Sequence, residues 1–190
     1  MESAFDDETG GRWTLDLTGN YGGAKRVRRT LVHLLPAIVA VLDEAELEDE
    51  REISLRWHTV DRCEPDSEGR FKVCQNGVRL AGQVIRLDGG ALSVRRGEHA
   101  YEAPFDKGRL GEGLDQRRES YVEAVTTGRS CRLLSLFAVI GPDEPDAAWS
   151  GGNGTWTIRT SRGAAVVTCG KGDLKVAEGM RGIQWNRENP

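Results

Sequence analysis

The order of apolar and polar positions divides the chain into short, recognisable segments. From Arg12 to Thr18 the alternation is strict, with Trp13, Leu15 and Leu17 on one side and Thr14, Asp16 and Thr18 on the other. Period two is the signature of a half-buried strand. Gly19-Asn20-Tyr21-Gly22-Gly23 ends it. Val27, Leu31, Leu34, Leu35, Ile38, Val39, Val41 and Leu42 then recur at helical spacing, which predicts a helix from near Ala24 to Glu46. Pro36 either kinks that helix or begins a second one at its favoured first-turn position. The carboxylate-dense tract Asp43–Glu52 opposes a helix C-terminal dipole and reads as a solvated loop.

Alternation resumes from Ile53 to Val60, a second strand. Asn76-Gly77 is the strongest short hairpin signal, between Phe71–Cys74 and Val78–Leu80. A second hairpin is expected from Gln83–Leu87 through Asp88-Gly89-Gly90 to Ala91–Val94, so that 53–95 form an antiparallel meander. Leu110, Leu114, Tyr121, Val122 and Val125 share one helical face, with Gly128 as the stop. Leu133–Ile140 is continuously apolar, as a central strand covered on both faces must be. A Gly/Pro/Asp-rich connector surrounds Trp149. Short strands follow at Thr155–Thr160, Ala164–Cys169, Asp173–Val176 and Ile183–Trp185, with the sharpest turn at Gly170-Lys171-Gly172.

This order predicts an α+β fold, a mostly antiparallel sheet with two main helices on one face and a C-terminal β meander. Its topology resembles a ferredoxin-like, split-βαβ core with inserted hairpins, and no motif ties it to a family. The expected division is a flexible acidic N-terminus (1–10), an α+β core (11–145) and a β-rich extension packing on it (146–190).

Composition narrows the function classes. At 190 residues the chain has a net charge of −4, against a protein built chiefly to coat nucleic acid. Its most apolar stretch, Leu31–Leu42, is 12 residues and too short to cross a bilayer, so no membrane insertion is expected. The first residues are acidic, without the basic and apolar regions of a secretory leader. Cys63, Cys74, Cys131 and Cys169 have neither zinc-ribbon nor redox-pair spacing, which suggests reduced thiols and a cytoplasmic location. His58, Cys63 and Cys74 match no standard metal site, and neither metal nor cofactor is expected.

Candidate chemistry concentrates at Gly19, Asn20, Gly22, Gly23, Lys25, Arg26, Arg28 and Arg29. A Gly-rich turn opening a basic helix start would present backbone N–H groups and positive charge to a phosphate. The segment has neither P-loop nor dinucleotide glycine spacing, and a solvated basic face paired with residues 43–52 is the plainer reading. Arg95-Arg96-Gly97-Glu98-His99 and Asp115-Gln116-Arg117-Arg118-Glu119 are mixed-charge clusters that would extend a basic surface if the fold gathers them beside Arg28 and Arg29, and read more plainly as self-neutralising surface. Asp16 reads as a solvent residue, or as a base or metal ligand beside the turn. Trp149 is an exposed interaction anchor or a cap on the sheet edge. His33, His58 and His99 form no catalytic set that the sequence reveals.

The leading expectation is therefore a non-enzymatic soluble component of a larger protein assembly, binding other subunits or itself. The alternative is a nucleotide- or nucleic-acid-binding protein using the Gly19–Arg29 segment, with metal-assisted hydrolysis through Asp16 as its catalytic form.

Overall fold

The structure, a computed structural model, describes residues 2–106, 117–170 and 173–179. It contains two antiparallel sheets. The larger holds β1 (Glu2–Asp7), β2 (Gly10–Asp16), β3 (Ala24–Leu34), β4 (Ile38–Thr59), β5 (Arg70–Gln75), β6 (Val78–Arg86), β7 (Ser93–Ala100) and β8 (Arg118–Ile140). Its order is β1-β2-β3-β4-β8-β6-β5, with β7 also paired to β8. The smaller is β12-β11-β10-β9, from β9 (Ala148–Gly152), β10 (Thr155–Thr160), β11 (Gly163–Gly170) and β12 (Asp173–Gly179). Among the described residues the only helical element is the 3-10 turn Thr18–Asn20, and no helix there is long and apolar enough to cross a membrane.

The α+β expectation is thereby corrected: the described residues form an antiparallel β fold without the two main helices, and the ferredoxin-like core falls with them. Residues 24–46, read as the first helix, are β3, a tight turn at Leu35–Ala37, and the start of β4. The cause is burial on both faces. Val32, Ile38, Ala40 and Leu42 face one core while Leu31, Val39 and Val41 face another. Apolar side chains at consecutive positions erase the period of two, and the residue imitates a helical stripe. The β-branched Val27, Val32, Ile38, Val39 and Val41 are the local preference that the periodicity obscured. Of the second expected helix, Leu110 and Leu114 lie outside the described residues, and Tyr121, Val122 and Val125 belong to β8.

Other elements form where the pattern placed them. Asn76 (φ 51°) and Gly77 (φ 80°) close the β5–β6 hairpin with both central residues left-handed, as a type I′ turn requires. Leu133–Ile140 is the C-terminal end of β8, flanked by β4 and β6 within the large sheet, with Leu134, Leu136 and Ala138 fully buried. The expected strands at 155–160, 164–169 and 173–176 are β10, β11 and β12; Ile183–Trp185 and the turn residues Lys171 and Gly172 lie outside the described residues. The second expected hairpin is absent, since β6 and β7 each pair with β8 rather than with one another. Between them Arg86 donates to Asp88 (2.8 Å), to the carbonyl of Ala91 (3.0 Å) and to Thr126. Gly89 and Gly90, at φ 76° and 88°, turn the chain around that guanidinium.

The core has two layers. Val32, Ile38, Ala40, Leu42, Leu134, Leu136 and Ala138 of the large sheet meet Trp156, Ile158, Ala165, Val167 and Leu174 of the small one. Each valine, leucine and isoleucine among them, fully removed from water, contributes about 1.5–3 kcal/mol. On the opposite side, Val41, Leu133 and Phe137 pack with Leu55, Val122 and Ala124. These last three belong to the far halves of β4 and β8, so the two-stranded ribbon bends back over its own sheet. The register shifts where it bends, between Glu46 and Arg51 of β4. Odd positions of β4 line the inner layer throughout (Val39, Val41, Leu55, Trp57). In β8 they change from even (Val122, Ala124) to odd (Cys131, Leu133, Phe137) across Gly128. A bulge of this kind re-aims side chains.

Candidate functional site

Bending the ribbon inward leaves the other face of its far half uncovered. The pairing aligns that face in rows: Arg56 and Arg95 flank Glu123, His58 and Gly97 flank Tyr121, and His99 lies beside Glu119. The alternation that buries Leu55, Val122 and Ala124 points Ser54, Arg56, His58, Glu119, Tyr121 and Glu123 outward. Gly97 is required here because a Cβ on it would stand 2.3 Å from the Tyr121 ring.

Glu123 is the anchor of the first row. Its side chain is 6% exposed, whereas those of Arg56 and Arg95 are 50% and 61% exposed. Oε1 accepts from the Ser54 hydroxyl and from Arg56 Nε, both at 2.7 Å. Oε2 accepts from Arg95 Nε at 2.9 Å and Nη2 at 2.8 Å. Burial pushes this carboxyl up, but the hydrogen bonds from Ser54, Arg56 and Arg95 outweigh it and hold the pKa at about 2. Arg56 also lies over the Tyr121 ring, 4.8 Å from its centroid.

The second cluster surrounds Glu119. Its Oε2 lies 3.2 Å from His58 Nδ1 and accepts the Tyr101 hydroxyl. The Tyr101 hydrogen bond lowers the Glu119 pKa, and the same bond raises that of Tyr101. With Nδ1 facing the carboxylate, the imidazole of His58 is held in one orientation and its Nε2 is directed away from Glu119. His99 packs edge-on to Tyr101 at 4.8 Å and lies 6.5 Å from His58, while Arg117 sits 4.2 Å above the Tyr101 ring. Beside this group a cleft of about 340 Å³ is lined by Arg62, Arg117 and Arg118 together with Asp61, Glu98 and Glu119. Val60, 69% exposed, stands at the same cleft.

The segment singled out in the sequence is arranged differently. Its basic residues do not open a helix: Lys25, Arg26, Arg28 and Arg29 lie on β3, so the dipole invoked for phosphate binding is missing. Arg29 is directed to the inner layer, where it is bonded to Asp43 at 2.7 Å and stacked 5.1 Å from the Trp57 ring. Arg26 and Arg28 take the opposite face, with Arg26 3.7 Å from Glu44. Gly19, Asn20 and Gly22 stand at an open turn, and the Arg51 guanidinium lies against Gly23. The Asp16 carboxylate is occupied by Thr18, accepting its N–H at 2.9 Å and its hydroxyl at 2.6 Å. Trp149 is on edge strand β9 and packs against the layer between the sheets. Among the described residues no group of three His, Cys, Asp or Glu side chains is placed to hold a metal. Cys63, Cys74 and Cys131 are free thiols; burial pushes Cys131 up to about 11 and also raises Cys63.

The two mixed-charge clusters are brought together in part, since His99 of β7 lies across from Glu119 of β8 and Glu98 lies 3.6 Å from Arg118. Sequence reasoning missed Arg56, His58, Tyr101, Tyr121 and Glu123. The available signal was the alternation Ser54-Leu55-Arg56-Trp57-His58, whose polar half places Arg56 and His58 on one side of a strand. The matching half, Glu119-Ser120-Tyr121-Val122-Glu123, was concealed within the supposed helix.

Neither a family model nor a curated protein sequence matches this chain. Solved structures do resemble it. The crystal structure of heparan sulfate lyase HepC from Pedobacter heparinus aligns over 92% of this chain and 26% of its own, with a TM-score of 0.60 and 14% identity. A crystal structure of heparinase III aligns over 87% of this chain and 26% of its own, with a TM-score of 0.59 and 10% identity. A further heparinase III gene product aligns over 94% and 27%, with a TM-score of 0.56 and 9% identity. This chain thus spans about a quarter of the length of those proteins, and at such identities what it shares with that part of them is a fold.

Proposed function

We propose that this chain is a saccharide-contacting β module whose ligand is an acidic polysaccharide, bound on the outer face of the β4–β8–β7 ribbon. One observation carries the reading: the fold gathers Arg56, Arg95, Arg117, His58, His99, Tyr101 and Tyr121 on one face of a chain with a net charge of −4. Guanidinium groups recognise sulfate and carboxylate in a fixed fork geometry. Aromatic rings beside them offer apolar surface to the C–H faces of a sugar. The proteins sharing the fold are named for heparan sulfate and heparin, both acidic polysaccharides.

The test is calorimetric titration with a heparan sulfate oligosaccharide and with a neutral oligosaccharide of equal length, at low and physiological salt. The acidic ligand is expected to bind and the neutral one not. A His99→Ala/Arg117→Ala double variant is expected to weaken binding about tenfold or more, the scale of one lost charge-assisted contact. Equal binding by that variant, or equal affinity for the neutral ligand, overturns the reading. A single-stranded oligonucleotide belongs beside them, because tighter binding to it would favour a nucleic-acid ligand instead.

A second reading, the assembly component expected from the sequence, is favoured by the exposure of Val60 (69%) and Phe105 (67%). A subunit that completes the cleft would cover Val60, which stands at it. Size-exclusion chromatography with light scattering checks self-association directly, with a monomer at micromolar concentration counting against it.

A further inference from the structure

The arrangement around Glu123 goes beyond a generally basic surface. We infer that Arg56 and Arg95 form an anion fork that takes the acidic substituent of the bound saccharide, with Glu123 as the positioning residue that holds both guanidinium groups in place. This rests on the saccharide reading for the identity of the ligand, but not for the anion chemistry of the fork itself.

Glu123 lies beneath the surface and the arginines rise from it on either side, on different strands, β4 and β7. It engages Arg56 through Nε only, so both Nη groups of that half-exposed guanidinium remain for a ligand. Arg95 is engaged along its Nε/Nη2 edge and keeps Nη1. Arg56 is fixed a second time by the Tyr121 ring, itself seated on the bare Cα of Gly97. Two long side chains that would otherwise sample many rotamers are thus immobilised before any ligand arrives, which removes much of the ordering cost of binding. With two guanidinium groups and one carboxylate the cluster carries a single net positive charge. Selection then depends on hydrogen-bond geometry more than on bulk attraction.

The carboxyl and sulfate forms of the substituent are separated by titrating the full chain with sodium glucuronate and with sodium sulfate, against sodium chloride at matched ionic strength. The readout is the arginine Nε–Hε resonances. The Arg56 and Arg95 signals are expected to shift together and saturate with glucuronate, sulfate or both, and not with chloride. Arg56→Lys and Arg95→Lys keep the charge but lose the fork, and each is expected to weaken that binding at least fivefold. Glu123→Gln removes a negative charge, so a purely electrostatic role would leave the preference over chloride intact while raising all affinities. The positioning role predicts that the preference falls toward one. Saturation unaffected by the lysine variants, or shifts matched by chloride, overturns the inference. A fork that works while the heparan sulfate oligosaccharide fails to bind would overturn only the choice of ligand.

Discussion

Trp57 donates its indole Nε1–H to the hydroxyl of Ser135 at 3.0 Å, although their strands pair Trp57 with Val122 and Ser135 with Val41. Along a straight strand the sixteen steps from Val41 to Trp57 would span about 50 Å. The bond therefore fastens the two halves of a folded ribbon, and the Phe137 ring 5.0 Å away completes the clasp. Ser135 is fully buried, so this donor answers a hydroxyl that has no access to water.

Replacing that donor tests how firmly the bend is held. Trp57→Phe is expected to lower stability by about 2 kcal/mol, combining the unpartnered Ser135 hydroxyl with lost ring area. Adding Ser135→Ala should return part of the loss. Urea unfolding of the two single variants and the double variant checks this, with strict additivity counting against the link.

Acid should weaken the outer face before it reaches the core. The Glu123 pKa falls from 4.5 to about 2 on folding, so its contribution is complete above pH 4.5 and disappears as pH drops toward 2. The urea midpoint of the parent should fall across that window. That of Glu123→Gln should start lower and change less.

Two adjacent arginines of β3 should behave unlike each other. Arg29→Ala leaves Asp43, 18% exposed, without its bidentate partner, and is expected to cost about 2–3 kcal/mol at neutral pH. Burial already raises the Asp43 pKa, with Arg29 pulling the other way. The variant's deficit should therefore shrink on acidification as the carboxyl becomes neutral. Arg28→Ala should lie within about 0.5 kcal/mol of the parent, as surface substitutions generally do. Equal losses in chemical denaturation would refute the distinction.

Gly97→Ala adds one methyl group where the Tyr121 ring lies. The ring must swing away and release Arg56, so saccharide affinity should drop severalfold while the strands remain paired. Near-ultraviolet circular dichroism should change and far-ultraviolet signal should not.

Much of the strand content was legible from the sequence because half-buried strands alternate. Trp13-Leu15-Leu17, Leu55-Trp57 and the Asn76-Gly77 turn each carry their own local physics. What defeated the reading at Leu31–Leu42 was burial on both sides, where tertiary covering supplies hydrophobicity at successive positions and no local period survives. At Tyr121–Val125 only Val122 and Ala124 face a core, and the apolar parts of the outward Tyr121 and Val125 blurred the alternation. The outer face was illegible for a different reason. Residues 56, 95 and 123 meet only through a register that spans the chain, and neither their spacing nor their types announces it. The Gly19–Arg29 segment attracted notice because its charges are contiguous, but in a strand contiguous residues separate to opposite sides.

The change of parity across Gly128 has a consequence for how such a protein can diverge. Between Ile53 and Thr59, and between Arg118 and Val125, gain or loss of one codon would turn Leu55 and Val122 to water and draw arginine and glutamate into the interior. Length variation must therefore be confined to the connections, such as 61–69 and 87–92. Single-letter exchanges at 54, 56, 58, 119 and 121 leave the inward set untouched. A lineage could retune what this surface recognises, one outward position at a time, without ever rebuilding the scaffold beneath it.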